Sequence, residues 1–344
     1  MKVLVTGHHG YIGSVMVDVL ARAGHDVTGL DTYLYEGCDF GADMPPVPAI
    51  RKDVREVEPS DLVGFDAVIH LAALSNDPLG CLSEDTTLEI NHRASVRLAQ
   101  SAKAAGVGRY LFASSCSLYG AAGGDQILDE HAPFAPVTAY ALSKVLVEQE
   151  VTALADDRFS PVFLRNATAY GPSPRLRADI VVNNLMGIAF TTGEVFIQSD
   201  GTPWRPLVHI RDISRAFLAV LDAPREVIHN EAFNVGSSEE NYQIRDVAGI
   251  VRDTLPGCSV KYAPDGGPDP RCYRVNCDKL WKALPGFKTE WTVRRGAAEL
   301  LEQFRQARLT PEMFAGYVRL KTIQALQAQQ RLDATLRWQA SVAA

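Results

Sequence analysis

Tyr140 and Lys144 stand four residues apart in Ala-Tyr-Ala-Leu-Ser-Lys. On a helix, residues with that spacing share a face. A free tyrosine, with a pKa of about 10, is a poor base at neutral pH, but a neighbouring ammonium favours the phenolate. Such a pair can take a proton from a hydroxyl group. Upstream lies a hydroxyl-rich strand end, Phe112-Ala-Ser-Ser-Cys-Ser-Leu-Tyr-Gly120, in which Ser115 can hydrogen-bond a reacting oxygen. If the backbone stays extended there, Ser115 and Ser117 share one face and Cys116 looks the other way.

A second constellation opens the chain. Val3-Leu-Val-Thr-Gly-His-His-Gly-Tyr-Ile-Gly13 reads as a strand that breaks into a turn and then a helix. Gly7, Gly10 and Gly13, with Tyr11 and Ile12 between the last two, permit a tight turn and the close approach of a pyrophosphate to a helix N-terminus. The spacing is looser than the plain dinucleotide fingerprint, and its position directly after a strand is what gives it weight. Asp31 ends the next apolar run. A carboxylate there accepts ribose hydroxyls and repels a 2′-phosphate, and no arginine follows in Thr32-Tyr33-Leu34, so NAD is expected over NADP. Asp53-Val54 is placed to meet the adenine. Leu71, Ala72 and Ala73 suit a backbone wall along the cofactor, whereas His8 and His9 read as loop residues.

These residues need elements to hold them. Strand-like runs at Lys2–Thr6, Asp26–Leu30, Ala67–Leu71, Tyr110–Ala113 and Pro161–Leu164 alternate with helical patterns at Tyr11–Ala23, Leu88–Ala105 and Tyr140–Ala155. That alternation predicts an α/β fold with a doubly wound parallel sheet, of Rossmann type. After Tyr170-Gly171-Pro172 the apolar runs shorten and arginine and proline become frequent. The expected organisation is a dinucleotide-binding domain over 1–170, to which later segments return. A smaller α+β substrate-binding lobe over 171–304 and a C-terminal helical extension over 305–344 would follow. Helices are expected at Ile180–Thr191, Ile210–Leu221 and Ile244–Thr254, and a last one from Thr310-Pro311-Glu312 toward Trp338.

Composition narrows the classes. The 344 residues carry a net charge of −7 with no basic stripe, which argues against a nucleic-acid partner. No apolar span reaches 18 residues and the N-terminal apolar run is too short for a signal peptide core, so no membrane association and a cytoplasmic location are expected. The six cysteines show no zinc-type spacing, so reduced thiols and no metal are expected.

In combination, Thr6–Gly13, Asp31, His70–Ala73, Asn91, Ser114–Gly120, Tyr140–Lys144, Tyr170-Gly171-Pro172, Arg205 and Asn234-Val235-Gly236 resemble an extended short-chain dehydrogenase/reductase. The likeness is to the NAD-dependent nucleotide-sugar epimerase/dehydratase family, of the UDP-galactose 4-epimerase-like kind. The resemblance covers residues 1 to about 300 and leaves the tail unmatched. It implies Tyr140 as base, Lys144 on the nicotinamide ribose and Ser115 on the reacting oxygen, with Asn91 and Ser114 beside the cofactor. It implies Ser75, Ser117 and Thr168 at the sugar, Asn183 and Asn184 along the nucleotide-sugar backbone, and Arg205 and Arg271 on a diphosphate.

The departures from the family pattern are chemical. The places where family dehydratases and decarboxylases carry an acid hold Cys116 and Ser117, and Thr168 replaces the usual asparagine, with Asn166 nearby. By elimination the expected activity is epimerisation of a nucleotide-diphosphate sugar, most simply at C4 through a transient keto-sugar. A sugar ketoreductase or C2-epimerase on a deoxy- or heptose nucleotide is the alternative, and a non-catalytic dinucleotide sensor a further one. Val145, Leu146 and Val147 exceed one inward stripe, and with the resemblance they lead to an expected homodimer through the helices at 88–105 and 140–155.

Overall fold

The computed structural model describes residues 1–41, 44, 46–75, 83–121, 126–264, 266–267 and 271–339. Its strands begin with β1 (Lys2–Thr6), β2 (Asp26–Asp31), β3 (Ala49–Arg51), β4 (Ala67–His70) and β5 (Arg109–Ser115). Next come β6 (Ser160–Asn166), β7 (Thr168–Tyr170), β8 (Trp204–His209) and β9 (Ala232–Val235). Seven of these form one parallel sheet in the order β9-β6-β5-β4-β1-β2-β3. Chain order reverses next to β1, the switch point where doubly wound folds place their ligands. Strand β9 comes from late in the chain and pairs with β6 through Val235 opposite Asn166. Beyond the sheet, β7 and β8 pair in parallel through Leu207 and Thr168, so the chain leaves β6 and enters a second small sheet within two residues.

The sheet is buried on both faces, and the two-residue period of β1 shows how. Val3 and Val5 pack in one layer with Met16, Val17 and Leu20 of α1 (Gly13–Arg22). Leu4 packs in the opposite layer with Leu98 and Ala102 of α2 (Ala94–Ala104) and with Val147 and Val151 of α3 (Ala139–Thr152). Each valine, leucine or methionine among them contributes about 1.5–3 kcal/mol on burial. Two further helices matter below: α4 (Val181–Thr192) and α5 (Ile210–Asp222), the latter packed against α1 in the first layer.

Three expectations need correction. The helical pattern from Leu88 is not continuous, because a π-helical turn over Glu89–Arg93 separates a short helix at Glu84–Leu88 from α2. The helix starting at Thr310 does not run to Trp338. Instead α6 (Pro311–Gly316), capped by the Thr310 hydroxyl, gives way to α7 (Arg319–Ala328), after which the chain folds back so that Leu332 bridges to Trp338. The break comes from tertiary contacts at Tyr317: its hydroxyl donates to the Asp39 carbonyl at 2.9 Å and its carbonyl accepts from Ala178 N–H at 3.1 Å. Part of the apolar surplus of α3 is internal, since Val145 packs with Cys116, Leu118 and Tyr119 of the same chain and Val147 packs in the second layer, while Leu146 is half-buried. Among the described residues, no helix is long and apolar enough to cross a membrane.

Candidate active site

A cavity of about 550 Å³ runs along the ends of β1, β2, β4 and β5. Its floor is backbone. Gly7 takes φ +73° as the chain leaves β1, and Gly13 packs so closely that a Cβ there would lie 2.2 Å from the Gly7 carbonyl oxygen. A Cβ at Gly7 would in turn lie 2.7 Å from the backbone nitrogen of Ala72. The turn therefore brings α1 against the wall formed by Leu71, Ala72 and Ala73, and the α1 N-terminus opens on the cavity with Gly10, Tyr11 and Ile12. Bare backbone at a helix N-terminus is the cradle a dinucleotide pyrophosphate requires, and these residues fit one.

Asp31 sits at the end of β2, where its carboxylate accepts from the amides of Tyr33 at 2.8 Å and His9 at 3.0 Å. Burial pushes its carboxyl pKa up, partly opposed by those amides. Asp53 and Val54 also line the cavity, with the Asp53 carboxylate held by Arg55 at 2.6 Å. His8 is not a loop residue in the loose sense: it is buried and wedged against Gly29, where a Cβ would lie 2.2 Å from its ring. His9 meets the Arg175 guanidinium at 2.5 Å.

At the other end of the cavity stand Ser115, Tyr140 and Lys144. The Thr138 hydroxyl caps the start of α3, which sets Tyr140 and Lys144 one turn apart. The Lys144 ammonium donates to the Ala113 carbonyl at 2.8 Å and lies 5.6 Å from the Tyr140 ring centroid. Burial draws its pKa down to about 7, with the Glu148 carboxylate opposing. A cation so placed favours the Tyr140 phenolate. Strand β5 ends at Ser115, whose Oγ accepts from Ser117 N–H at 3.1 Å and begins a 3₁₀ turn. The backbone is thus not extended here, yet Ser115 and Ser117 both line the cavity while Cys116 is buried against the Arg165 carbonyl at 3.1 Å. Burial pushes the Cys116 thiol far above its ordinary range, so it is no acid–base group. The Ser117 hydroxyl and Asn166 Oδ1 are buried at this end without a partner among the described residues, so polar capacity remains for a ligand.

Two residues that the sequence reading missed fasten this end to the sheet. Glu148, one turn beyond Lys144, accepts from the Ser114 hydroxyl at 2.5 Å and from Arg165 of β6 at 2.7 Å. Both charged side chains are about 5% exposed. Arg165 also donates to the Tyr119 hydroxyl at 3.0 Å, which donates to Asn234 of β9 at 2.8 Å. The available signal was the spacing, since Glu148 continues the Tyr140–Lys144 stripe at i+8.

The facing wall is built from side chains. Thr168, Asn184, Arg205 and Arg271 line it, and Arg205 donates to the Arg271 carbonyl beside the Tyr273 ring. Arg177, also missed, pairs with Asp179 at 2.9 Å and donates to the Ser75 hydroxyl and carbonyl, each at 3.2 Å. Two expected residues stand behind the wall. Asn183 is fully buried and spends its amide on Gly171, Arg177 and Tyr11. It is one residue from Asn184, and successive helical residues face about 100° apart. Asn91, in the π-helical turn, clamps both backbone groups of Leu74 at 2.7 and 3.0 Å, so it shapes the wall without lining it. Ser114 lines the cavity with its hydroxyl committed to Glu148.

The chain is 28% identical to a UDP-glucose 4-epimerase of Corynebacterium glutamicum, over 87% of this chain and 94% of that one. It is 26% identical to a dTDP-glucose 4,6-dehydratase of Streptomyces niveus, over 90% and 94%. Among solved structures, MoeE5 in complex with UDP-glucuronic acid and NAD superposes with a TM-score of 0.77 at 28% identity, covering 89% of this chain and 99% of that one. Residues 3–236 match the profile of one family across both the glycine turn and the Tyr140 helix, and the chain belongs to that family, the NAD dependent epimerase/dehydratases.

Proposed function

We propose that this protein epimerises a nucleoside-diphosphate sugar at C4. The observation that carries the reading is the chemistry around Tyr140. Lys144 stands beside it and Ser115 lines the same cavity, and the carboxylates among the described cavity residues are Asp31, Asp53 and Asp179, none of them on the Ser115 or Tyr140 segments. Dehydration and decarboxylation in the resembling enzymes use an acid next to the catalytic hydroxyl, and this site offers Cys116 and Ser117 instead.

In the proposed cycle Tyr140 accepts the proton of the sugar C4 hydroxyl at its phenolate oxygen, and the Ser115 hydroxyl donates to the same sugar oxygen. Lys144 keeps positive charge beside the phenolate. Bound NAD supplies a reversible hydride acceptor that is restored at the end of each turnover. The keto-sugar turns in the cavity, and Tyr140 returns the proton to the oxygen of the opposite epimer. Arg205 and Arg271 hold the diphosphate as the sugar turns, as guanidinium forks suit phosphate oxygens. Homodimerisation belongs to this proposal on family resemblance alone, and light scattering at micromolar concentration would then give twice the chain mass.

The test is incubation of the purified protein with UDP-glucose, UDP-galactose, dTDP-glucose and UDP-glucuronic acid. The expected result is a C4 epimer of one of them, identified by NMR, with no net accumulation of reduced cofactor. A product altered at another carbon, or stoichiometric consumption of reduced cofactor, would overturn the C4 assignment.

A further inference from the structure

Arg319 begins α7, well past the residues that the family profile matches. It is 2% exposed and lines the cavity. Its guanidinium stacks 4.0 Å from the centroid of the Tyr35 ring, and one terminal nitrogen, Nη2, donates to the Arg175 carbonyl at 2.7 Å. The other, Nη1, is buried with no hydrogen-bond partner among the described residues. The nearby carboxylate, Asp179, is bound to Arg177 at 2.9 Å. A buried cation with an unused donor is costly, and folded chains keep one where something supplies the missing acceptor.

The location says what that acceptor is. Arg175, which receives Arg319, donates its amide to Ser173 Oγ at 3.1 Å, and Ser173 donates to the Tyr11 carbonyl at 2.8 Å. Arg319 is therefore linked through two residues to the glycine turn. Tyr35, beneath its guanidinium, lies four residues beyond Asp31. A group bounded by a helix N-terminus on one side and a buried guanidinium on the other is an anion. The tail also closes the adenosine side: Leu336 lines the cavity, Arg55 donates to the Thr335 carbonyl at 2.7 Å, and the Trp338 indole donates to the Thr32 carbonyl at 2.6 Å.

We infer that Arg319 is a ligand of the dinucleotide diphosphate, and that the C-terminal segment completes the cofactor site from outside the part of the chain that matches the family. The substrate could supply a diphosphate too, but Arg205 and Arg271 stand with Tyr273, whereas Arg319 is tied through Arg175 and Ser173 to the Tyr11 carbonyl of the glycine turn. The inference rests on the cofactor and not on the sugar chemistry, so either can fail alone.

The test compares ADP-ribose, adenosine and UDP binding by calorimetry in the full-length chain and in Arg319→Gln and Arg319→Lys. Loss of a charge-assisted bond to a diphosphate should weaken ADP-ribose by about 10- to 100-fold in Arg319→Gln, and by less in Arg319→Lys. Adenosine, which lacks the diphosphate, and UDP should bind as before. The quantity read is the ratio of ADP-ribose to adenosine affinity, and Arg319→Lys supplies it should the glutamine variant not fold. An unchanged ratio in a folded variant overturns the inference. Weakened UDP binding with ADP-ribose untouched overturns the cofactor assignment in favour of the substrate diphosphate.

Discussion

The two walls of the cavity are made of different material. On the cofactor wall the chain presents backbone: the glycine turn, Leu71–Ala73 and the ends of β1, β2 and β4. On the facing wall it presents side chains, with Thr168, Arg177, Arg205 and Arg271 arriving from separate segments. Backbone position follows from strand register, and every residue type supplies it unless a Cβ intrudes. A side-chain wall is set one residue at a time. The contrast teaches that the first wall specifies a cofactor class together with the fold, whereas the second can change its ligand while the fold stays put.

Tyr140 stands where the walls meet, and removing its hydroxyl should have the largest effect. Tyr140→Phe is expected to lower kcat by about 10²- to 10⁴-fold with NAD binding intact. Stopped assays with parallel NAD titration check this, and full activity would mean that another base is at work. On the side-chain wall, Arg205→Ala should raise KM for the nucleotide sugar by about 10- to 100-fold and leave kcat nearly unchanged, since ground and transition states share that contact. A fall in kcat at constant KM would break the division between the walls.

On the backbone wall the proposed cofactor-selecting side chain is Asp31, and there the change should be smaller. Asp31→Ala should reduce the preference for NAD over NADP by about tenfold, measured as a ratio of dissociation constants. Equal affinities in the unmutated protein would remove Asp31 from the account.

The smallest effect concerns stability. His70 closes β4 with both ring nitrogens engaged, by Thr6 at 2.6 Å and by Ser95 at 2.8 Å, and burial draws its pKa down to about 3. Its ordinary value is about 6.5, so below that pH the unfolded chain takes up a proton that the folded chain refuses. Stability should fall as pH drops from 6.5 toward 3, by about 1 kcal/mol between pH 6.5 and 5.5. Thermal melts should show roughly a 2 °C decrease over that interval, reduced in His70→Asn. An identical pH slope in the variant would assign the loss to other groups.

What the sequence disclosed follows the same division. The parallel sheet, NAD as cofactor and the family were readable because strands, glycine turns and the Tyr140–Lys144 spacing are local patterns. Arg177 and Arg319 were not, because an arginine means nothing until its burial and neighbours are known. Asn183 and Asn184 are alike in sequence and differ only in the helical face they occupy. Val145 looked like surplus surface because Leu128 and Tyr119, which cover it, arrive from other segments. The last helix misled for a similar reason: its local start signal is genuine, and its end is decided by what Tyr317 touches.

The buried Glu148–Arg165 pair has a consequence for inheritance. It joins the helix of Tyr140 to β6, the strand next to the sheet's edge, through groups that do not line the cavity. Losing one partner would strand the other charge in the interior, so drift at these positions is punished whatever sugar is being used. An uncharged residue of the facing wall such as Thr168 leaves no buried charge behind when it changes. A lineage with this arrangement can therefore try new substrates generation after generation, while the helix that carries Tyr140 and Lys144 is handed down unaltered.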